Sequence, residues 1–221
     1  MSLSESLSIL ENPDVSIALG KLIIAIASAT SETEVYATVA AYIPDILPVD
    51  RTSIILLTED GQELEIYALH GIEGVSPIGK TIPCDGTAAG LAVRTGQPQV
   101  NWASPDSPYL DIVRLSAEGM SLFVSVPLMI HGQAIGAVNA AFSNPTLAET
   151  QILSLLTQIT TLISTNLERQ ILLKQTQVAM EGYRSQAEQL QVLNEIARKL
   201  SGHCSFQGYR SSPQLNEIKT F

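Results

Sequence analysis

Apolar positions along this chain follow two periods, and the points where the period changes mark its elements. From Pro13 to Ser28 the residues Ile17, Ile24 and Ala27 return at helical spacing, with Leu19, Leu22 and Ile23 widening the stripe. This predicts a first helix that buries that stripe. Ser31 and Glu34 then form a capping box, in which each side chain satisfies a backbone donor of the first turn. Val35, Val39, Ile43 and Ile46 mark the buried face of the second helix, and Pro48 ends it.

The period then shortens to two. "RTSIILLTEDGQELEIYALHG" is a pair of β-rich runs around Asp60-Gly61, a strong hairpin signal, and Leu64, Ile66 and Ala68 alternate with other residues along its second arm. "SLFVSVPLMIHGQAIGAVNAAF" predicts a second hairpin that turns at His131-Gly132. Between the hairpins, "TIPCDGTAAGLAVRTGQPQVN" predicts a short strand, a helix of small residues, a turn and another strand. A loop from Trp102 to Tyr109 and a short helix from Leu110 to Glu118 follow.

Helical spacing returns after a further capping box, Thr146 to Glu149. Ile152, Leu156, Ile159, Ile163, Leu167 and Ile171 recur at intervals of three and four, close to a coiled-coil seam. The pattern weakens around Gly182, then resumes at Leu190, Leu193, Ala197 and Leu200. If continuous, Leu147 to Leu200 extends roughly 80 Å at about 1.5 Å per residue. A domain of this size cannot bury such a rod alone, so those six residues are expected to form a homodimer interface. "LNEIARKLSG" echoes the first helix, and the tail from His203 loses periodicity, as though another copy of the module were beginning.

Composition narrows the function classes. The chain has 221 residues, 45% of them hydrophobic, enough for a real core. Its net charge of −10 and lack of a basic stripe argue against nucleic-acid partners. Glu5, Glu11 and Asp14 stand where a secretory signal would be basic, and the run from Ser16 contains Lys21 and is too short to span a bilayer. With two cysteines, Cys84 and Cys204, neither a disulfide framework nor a four-cysteine zinc site is available. Three scattered histidines suggest no metal set. The expectation is a cytoplasmic protein that neither enters a membrane nor binds nucleic acid.

The order of elements resembles the GAF domain, a relative of PAS. The resemblance is carried by "IPCDGTAAGLAVRTGQPQVN" and "SLFVSVPLMIHGQAIGAVNA" and covers residues 15–173. It implies an α+β fold: an antiparallel sheet with helices on both faces, followed by a long coiled-coil-type helix. Residues 174–202 would be that signalling helix or the start of a further module, and 203–221 an irregular tail. One face of the sheet would pack on the first and last helices, which also pair across a dimer. The other would be roofed by loops and short helices over a small-molecule pocket.

The candidate ligand-binding residues under this resemblance are Gly86, Thr87, Ala88 and Ala89, Trp102, Asp106, Tyr109 and Asp111, with Ser125 and Asn139 on the strands. The free N–H groups opening the Gly/Ala helix could hold an anionic or carbonyl group; equally, its small residues could simply let it lie close on the sheet. Cyclic-nucleotide-binding relatives carry an Asn-Lys pair and a later Asp-Glu; here Ala140 follows Asn139 and no Asp-Glu follows Leu147. Bilin-binding relatives attach their pigment to a cysteine that "YLDIVRLSAEGMSLF" lacks, so no covalent bilin is expected and the cofactor is unknown. The resulting expectation is a non-catalytic sensor that signals to a downstream effector through dimeric helices. The alternatives are a ligand-free dimerisation scaffold and a free-methionine-sulfoxide reductase using Cys84, although Cys84 stands beside acidic Asp85 and far from Cys204.

Overall fold

The computed structural model describes residues 13–71 and 77–204. Two helices, α1 (Pro13–Ser28) and α2 (Glu32–Ile46), lead into the hairpin β1 (Arg51–Leu57) and β2 (Glu63–Gly71). Then come β3 (Thr81–Pro83), α3 (Ala88–Thr95), β4 (Gln99–Trp102) and α4 (Leu110–Ala117). The second hairpin, β5 (Leu122–Ile130) and β6 (Gln133–Phe142), is followed by α5 (Glu149–Cys204). All strands join one antiparallel sheet in the order β3-β2-β1-β6-β5-β4. Its central joint is the long-range pairing of β1 with β6, Arg51 opposite Ala141 through Leu56 opposite Gly136.

Local chemistry sets the boundaries. Ser31 caps α2 by accepting the Glu34 N–H, while the Glu34 carboxylate accepts from the backbone and hydroxyl of Thr30. Both predicted hairpins form, and Gly61, His131 and Gly132 take the positive φ values that such tight turns require. The box expected at Thr146–Glu149 lies two residues further on. Helix α5 starts at Glu149, and Gln151 accepts the Ala148 N–H.

The strands alternate cleanly, giving the sheet two different faces. One carries Ile54, Leu122, Val124, Val126, Val138, Ala140 and Phe142 and packs on α1, α2 and the first turns of α5. The other carries Ile55, Phe123, Ala137 and Ala141 and packs on α3 and α4. A bulge in β2 places Ile54 opposite Ala68 and Ile55 opposite Ile66, leaving Tyr67 as the extra residue. Ala68 therefore joins the first core, Leu64 and Ile66 the second.

Two expectations about burial need correction. Helix α1 buries Ala18, Leu19, Leu22 and Ile26; Ile17, Ile23 and Ile24, expected inside, are 58%, 48% and 69% exposed, and Ala27 is exposed too. The helix is apolar on two sides, and the side of Leu19, Leu22 and Ile26 is the one that joins the core with α2 and α5. The second correction concerns the seam. Ile152, Leu156, Ile159, Ile163 and Leu167 are fully buried within this chain's own core, and Ile171 is half-buried. These five side chains pack with the sheet, α1 and α2 in this chain's own core and do not form an exposed stripe.

The chain divides into two compact units between Gln170 and Ile171. The first holds the sheet and its helices. In the second, the remainder of α5 exposes a series of large apolar side chains, among them Leu172, Leu173, Met180, Tyr183, Leu190 and Leu193. The helix runs to Cys204, two residues into the tail expected at 203–221; the rest of that tail lies outside the described residues.

Candidate functional site

Between the sheet and its roof of α3 and α4 lies a cavity of about 60 Å³. At roughly 10–15 Å³ for each water-sized occupant, it has room for a handful of waters or one very small organic molecule. The floor is strand residues Arg51, Ser53 and Ile55 of β1, Asn139 and Ala141 of β6, and Phe123 of β5. Asp111, Arg114 and Leu115 of α4, with Glu118 at its C-terminus and Ala89 of α3, form the cover, and Ile66 and Ile82 close the side.

Sheet register explains the polar part of this floor. Ser53 lies opposite Asn139, Asn139 opposite Ser125, and Ser125 opposite Gln99, so one polar row crosses four strands on the chamber face. Asn139 Nδ2 donates to Ser53 Oγ at 3.2 Å. Asn139 Oδ1 and Ser125 Oγ, both buried, have no hydrogen-bond partner in the protein. A buried polar atom left unmet costs about 1–3 kcal/mol, so such a row is not neutral filling for a core.

Charge is concentrated at one end. Arg51 and Glu118 form an ion pair at 3.5 Å with side chains only 8% and 17% exposed. Burial lowers the pKa of the Arg51 guanidinium, and Glu118 partly restores it. Neither residue figured in the sequence expectations. Little in the sequence signalled them: Arg51, Thr52 and Ser53 are all polar, so no alternation marks which of them face the chamber.

The opening of α3 is built differently from the expectation. Thr87 caps the helix by accepting the Gly90 N–H. The Ala88 and Ala89 N–H groups both donate to Asp111, at 2.9 and 3.0 Å from its two carboxylate oxygens. The anion at this helix N-terminus is thus the chain's own carboxylate, delivered by the first turn of α4. The Leu110 N–H donates to the Gly86 carbonyl and completes the clasp. Gly90 has a packing reason as well: a Cβ there would lie 1.7 Å from the Cys84 carbonyl oxygen. The small residues serve close packing on the chain.

Residues 29–168 match the family model described as GAF domain, and that span is more than half of the chain. The chain belongs to the GAF domain family. Solved structures with this fold include the free methionine-R-sulfoxide reductase of Neisseria meningitidis in complex with its substrate. It is 17% identical, with a TM-score of 0.60 over 71% of this chain and 91% of that one. The phycoerythrobilin-bound GAF domain of a cyanobacterial phytochrome is 15% identical, TM-score 0.59, covering 73% and 98%. Residues 122 to 287 of a methyl-accepting chemotaxis protein are 20% identical, TM-score 0.56, covering 69% and 97%. At these identities the likeness is one of fold. A search of curated proteins finds no match.

In this GAF domain the expected site residues fall in different places. Ala89, Asp111 and Asn139 line the cavity. Thr87, Ala88, Gly86 and Ser125 build its surroundings: cap, helix start, clasp and floor row. Tyr109 packs half-buried against the chamber-side core. Trp102 and Asp106 are elsewhere. Trp102 is 57% exposed and its indole donates to Glu149 at 2.6 Å, while Asp106 stands exposed in the loop. Cys84 is buried, with Gly90 and Arg94 as its polar neighbours, and does not line the cavity. A linear tetrapyrrole, as bound by the phytochrome relative, does not fit the cavity as formed, and no cysteine lines it.

Proposed function

We propose that this chain is a non-catalytic sensory module of a signal-transduction protein. A small molecule binds in the chamber between the sheet and α3/α4, and helices transmit its presence, as a homodimer, to a signalling effector. The observation that carries the reading is the unpartnered Asn139 Oδ1 on the wall of a cavity, in a row of buried polar side chains. The family supplies the setting, since GAF domains are sensory modules of signalling proteins. Redox catalysis is less well supported, because Cys84 is 5% exposed and lies off the cavity.

The homodimer is proposed through a surface other than the buried seam. Ile17 and Ile24 are exposed along α1, and an apolar groove of about 370 Å³ lies between α1 and α5, lined by Leu19, Ile23, Thr157, Gln158, Thr161 and Leu162. A second copy would cover both. The proposed setting is the cytoplasm; among the described residues no helix is long and apolar enough to cross a membrane.

Thermal shift against a metabolite library tests the sensory reading. A ligand at 100 times its Kd adds about 2.7 kcal/mol of stability. The shift should vanish in Ala141→Val, which adds two methyl groups to the chamber floor. A library without any hit that depends on Ala141 would leave the dimerisation scaffold as the better account.

A further inference from the structure

We infer that α5 is a two-register helix: its apolar face fits the body of the domain both as seen here and one turn further along, and Glu149 and Glu168 are the pins that hold the seen register. This goes beyond the sensory reading and stands whether or not the chamber takes a ligand. Three observations converge on it.

The first is the spacing of the buried face. Ile152, Leu155, Leu156, Ile159, Ile163 and Leu167 fill six seats in the core shared with the sheet, α1 and α2. A slip of one turn, four residues toward the helix's own N-terminus, brings Leu156, Ile159, Thr160, Ile163, Leu167 and Ile171 to those seats. All but one are again apolar. Thr160 is already buried, with its hydroxyl donating to the Leu156 carbonyl at 2.8 Å, so it enters its new seat without an unmet proton. A slip of three residues instead buries Gln158, Asn166 and Gln170. A turn in the opposite direction buries Gln151 and leaves a single residue between Ser143 and the helix.

The second is the placing of charge. From Thr150 to Leu167 the helix carries no charged residue, so its outer side resists a slip no more than its inner side does. The carboxylates at the two ends of that run are both held by the sheet. Glu149 accepts the Trp102 indole N–H of β4 at 2.6 Å, and Glu168 accepts the His131 backbone N–H at the β5–β6 turn at 2.7 Å. Such charge-assisted bonds are short and directional. A one-turn slip breaks both together, putting Leu153 where Glu149 stood and Leu172 where Glu168 stood.

The third is room. Ser143, at the end of β6, is anchored by donating its N–H and hydroxyl to Asp50. Residues 144–148 link it to the start of α5. After the slip the first turn of α5 joins that link, and lengthening a loop by so little costs little. Closely packed helices move by whole turns, about 5.4 Å, because positions between leave side chains facing no seat.

Trp102 is the only tryptophan of the chain, so its indole N–H gives one NMR resonance whose NOEs identify the residue of α5 beside it. In the full-length parent that is position 149. Moving both pins one turn, with Glu149→Leu, Leu153→Glu, Glu168→Leu and Leu172→Glu together, should transfer those NOEs to position 153. Glu149→Ala with Glu168→Ala alters no fully buried side chain. It should raise a second indole state, with NOEs to position 153, about tenfold over the parent in saturation-transfer spectra.

A folded pin-transfer protein whose Trp102 still contacts position 149, or contacts neither position, overturns the inference. So does a double-alanine protein that keeps the parent's single indole state, and this result decides the matter if the pin-transfer chain does not fold. Neither outcome bears on ligand binding in the thermal-shift test, so the sensory reading stands or falls separately.

Discussion

Replacing Gly90 by alanine sets two well-known effects against each other, and the structure decides between them. In an open helix, glycine to alanine stabilises by about 1 kcal/mol, because glycine gives up more backbone freedom on folding. At Gly90 the new Cβ would stand 1.7 Å from the Cys84 carbonyl oxygen, 2.6 Å from its carbon and 2.8 Å from Thr87 Oγ1. The first two are backbone atoms held by strand β3 and the turn after it, so neither can swing aside. Restoring even a 3.0 Å contact requires α3 to lift by about 1.3 Å. That movement stretches the two bonds from Ala88 and Ala89 to Asp111 and loosens the packing of Ala88, Ala92 and Val93. Overpacking of this kind costs about 1–3 kcal/mol, and one weakened charge-assisted bond adds about 1 kcal/mol or more. After subtracting the helix gain, the net expectation is a loss of about 1–3 kcal/mol, or roughly 2–12 °C in Tm for a domain of this size. Gly182 is the control: nothing lies within 4 Å of a Cβ built there, so Gly182→Ala should stabilise its helix. The assay is thermal and urea unfolding followed by circular dichroism. A Gly90→Ala protein as stable as the parent would refute the tight seating of α3.

Asp111→Asn should weaken the clasp between α3 and α4 by about 1–2 kcal/mol, since an amide offers one acceptor where the carboxylate offers two. Hydrogen exchange at the Ala88 and Ala89 amides should accelerate accordingly, and unchanged protection would contradict the geometry. Aspartate at two positions separates the internal seam from the outer surface. Ile159→Asp should unfold the domain, losing more than about 4 kcal/mol, because Ile159 is fully buried. Ile24→Asp should leave it folded and give a monomer in light scattering, so a persistent dimer would move the interface elsewhere. Burial, with help from Glu32 and Tyr67, raises the Tyr36 phenol to about 12 from 10.0. The unfolded chain therefore loses that proton first, so stability is complete below pH 10 and declines between there and about pH 12. Tyr36→Phe should flatten that part of the pH–Tm profile; an identical slope in both proteins would place the titration on another group.

What the sequence revealed, and what it hid, follows from the range of the forces involved. Turns and caps are local: Asp60-Gly61, His131-Gly132 and Ser31 each sit beside the backbone groups they govern, and each was legible. The direction of burial is not local. Helix α1 has apolar residues on two sides, and only the positions of α2 and α5 select Leu19, Leu22 and Ile26 over Ile17 and Ile24. The seam from Ile152 to Leu167 has the same spacing whether it meets its own sheet or a second copy. Asp111 reaches a helix start more than twenty residues away, so a free anion site and a self-occupied one look identical in the chain. The bulge at Tyr67 carries no glycine or proline to announce it, yet it switches Ile66 and Ala68 to opposite faces.

The two faces of the sheet impose a route on any signal that begins in the chamber. Strand β6 presents Ala137, Asn139 and Ala141 to the chamber side and Val138, Ala140 and Phe142 to the helices, in strict alternation. Strand β1 does the same with Arg51, Ser53 and Ile55 on one side and Thr52 and Ile54 on the other; the Thr52 hydroxyl donates to the Ala40 carbonyl of α2. No chamber residue of these two strands is more than one peptide unit from a residue in the helix-side core. A shift at Asn139 or Arg51 is therefore shared by Val138, Ala140 and Thr52, and through them by the core that holds Ile152 to Leu167. Close packing makes such a core respond by discrete repacking instead of absorbing the shift gradually. The coupling needed is modest: about 1–3 kcal/mol of difference in ligand affinity between two helix arrangements, comparable to satisfying one buried polar atom such as Asn139 Oδ1. Under the proposed sensory reading, that energy drives transmission only to the extent that a ligand reaches Asn139 Oδ1 in one helix arrangement and not in the other.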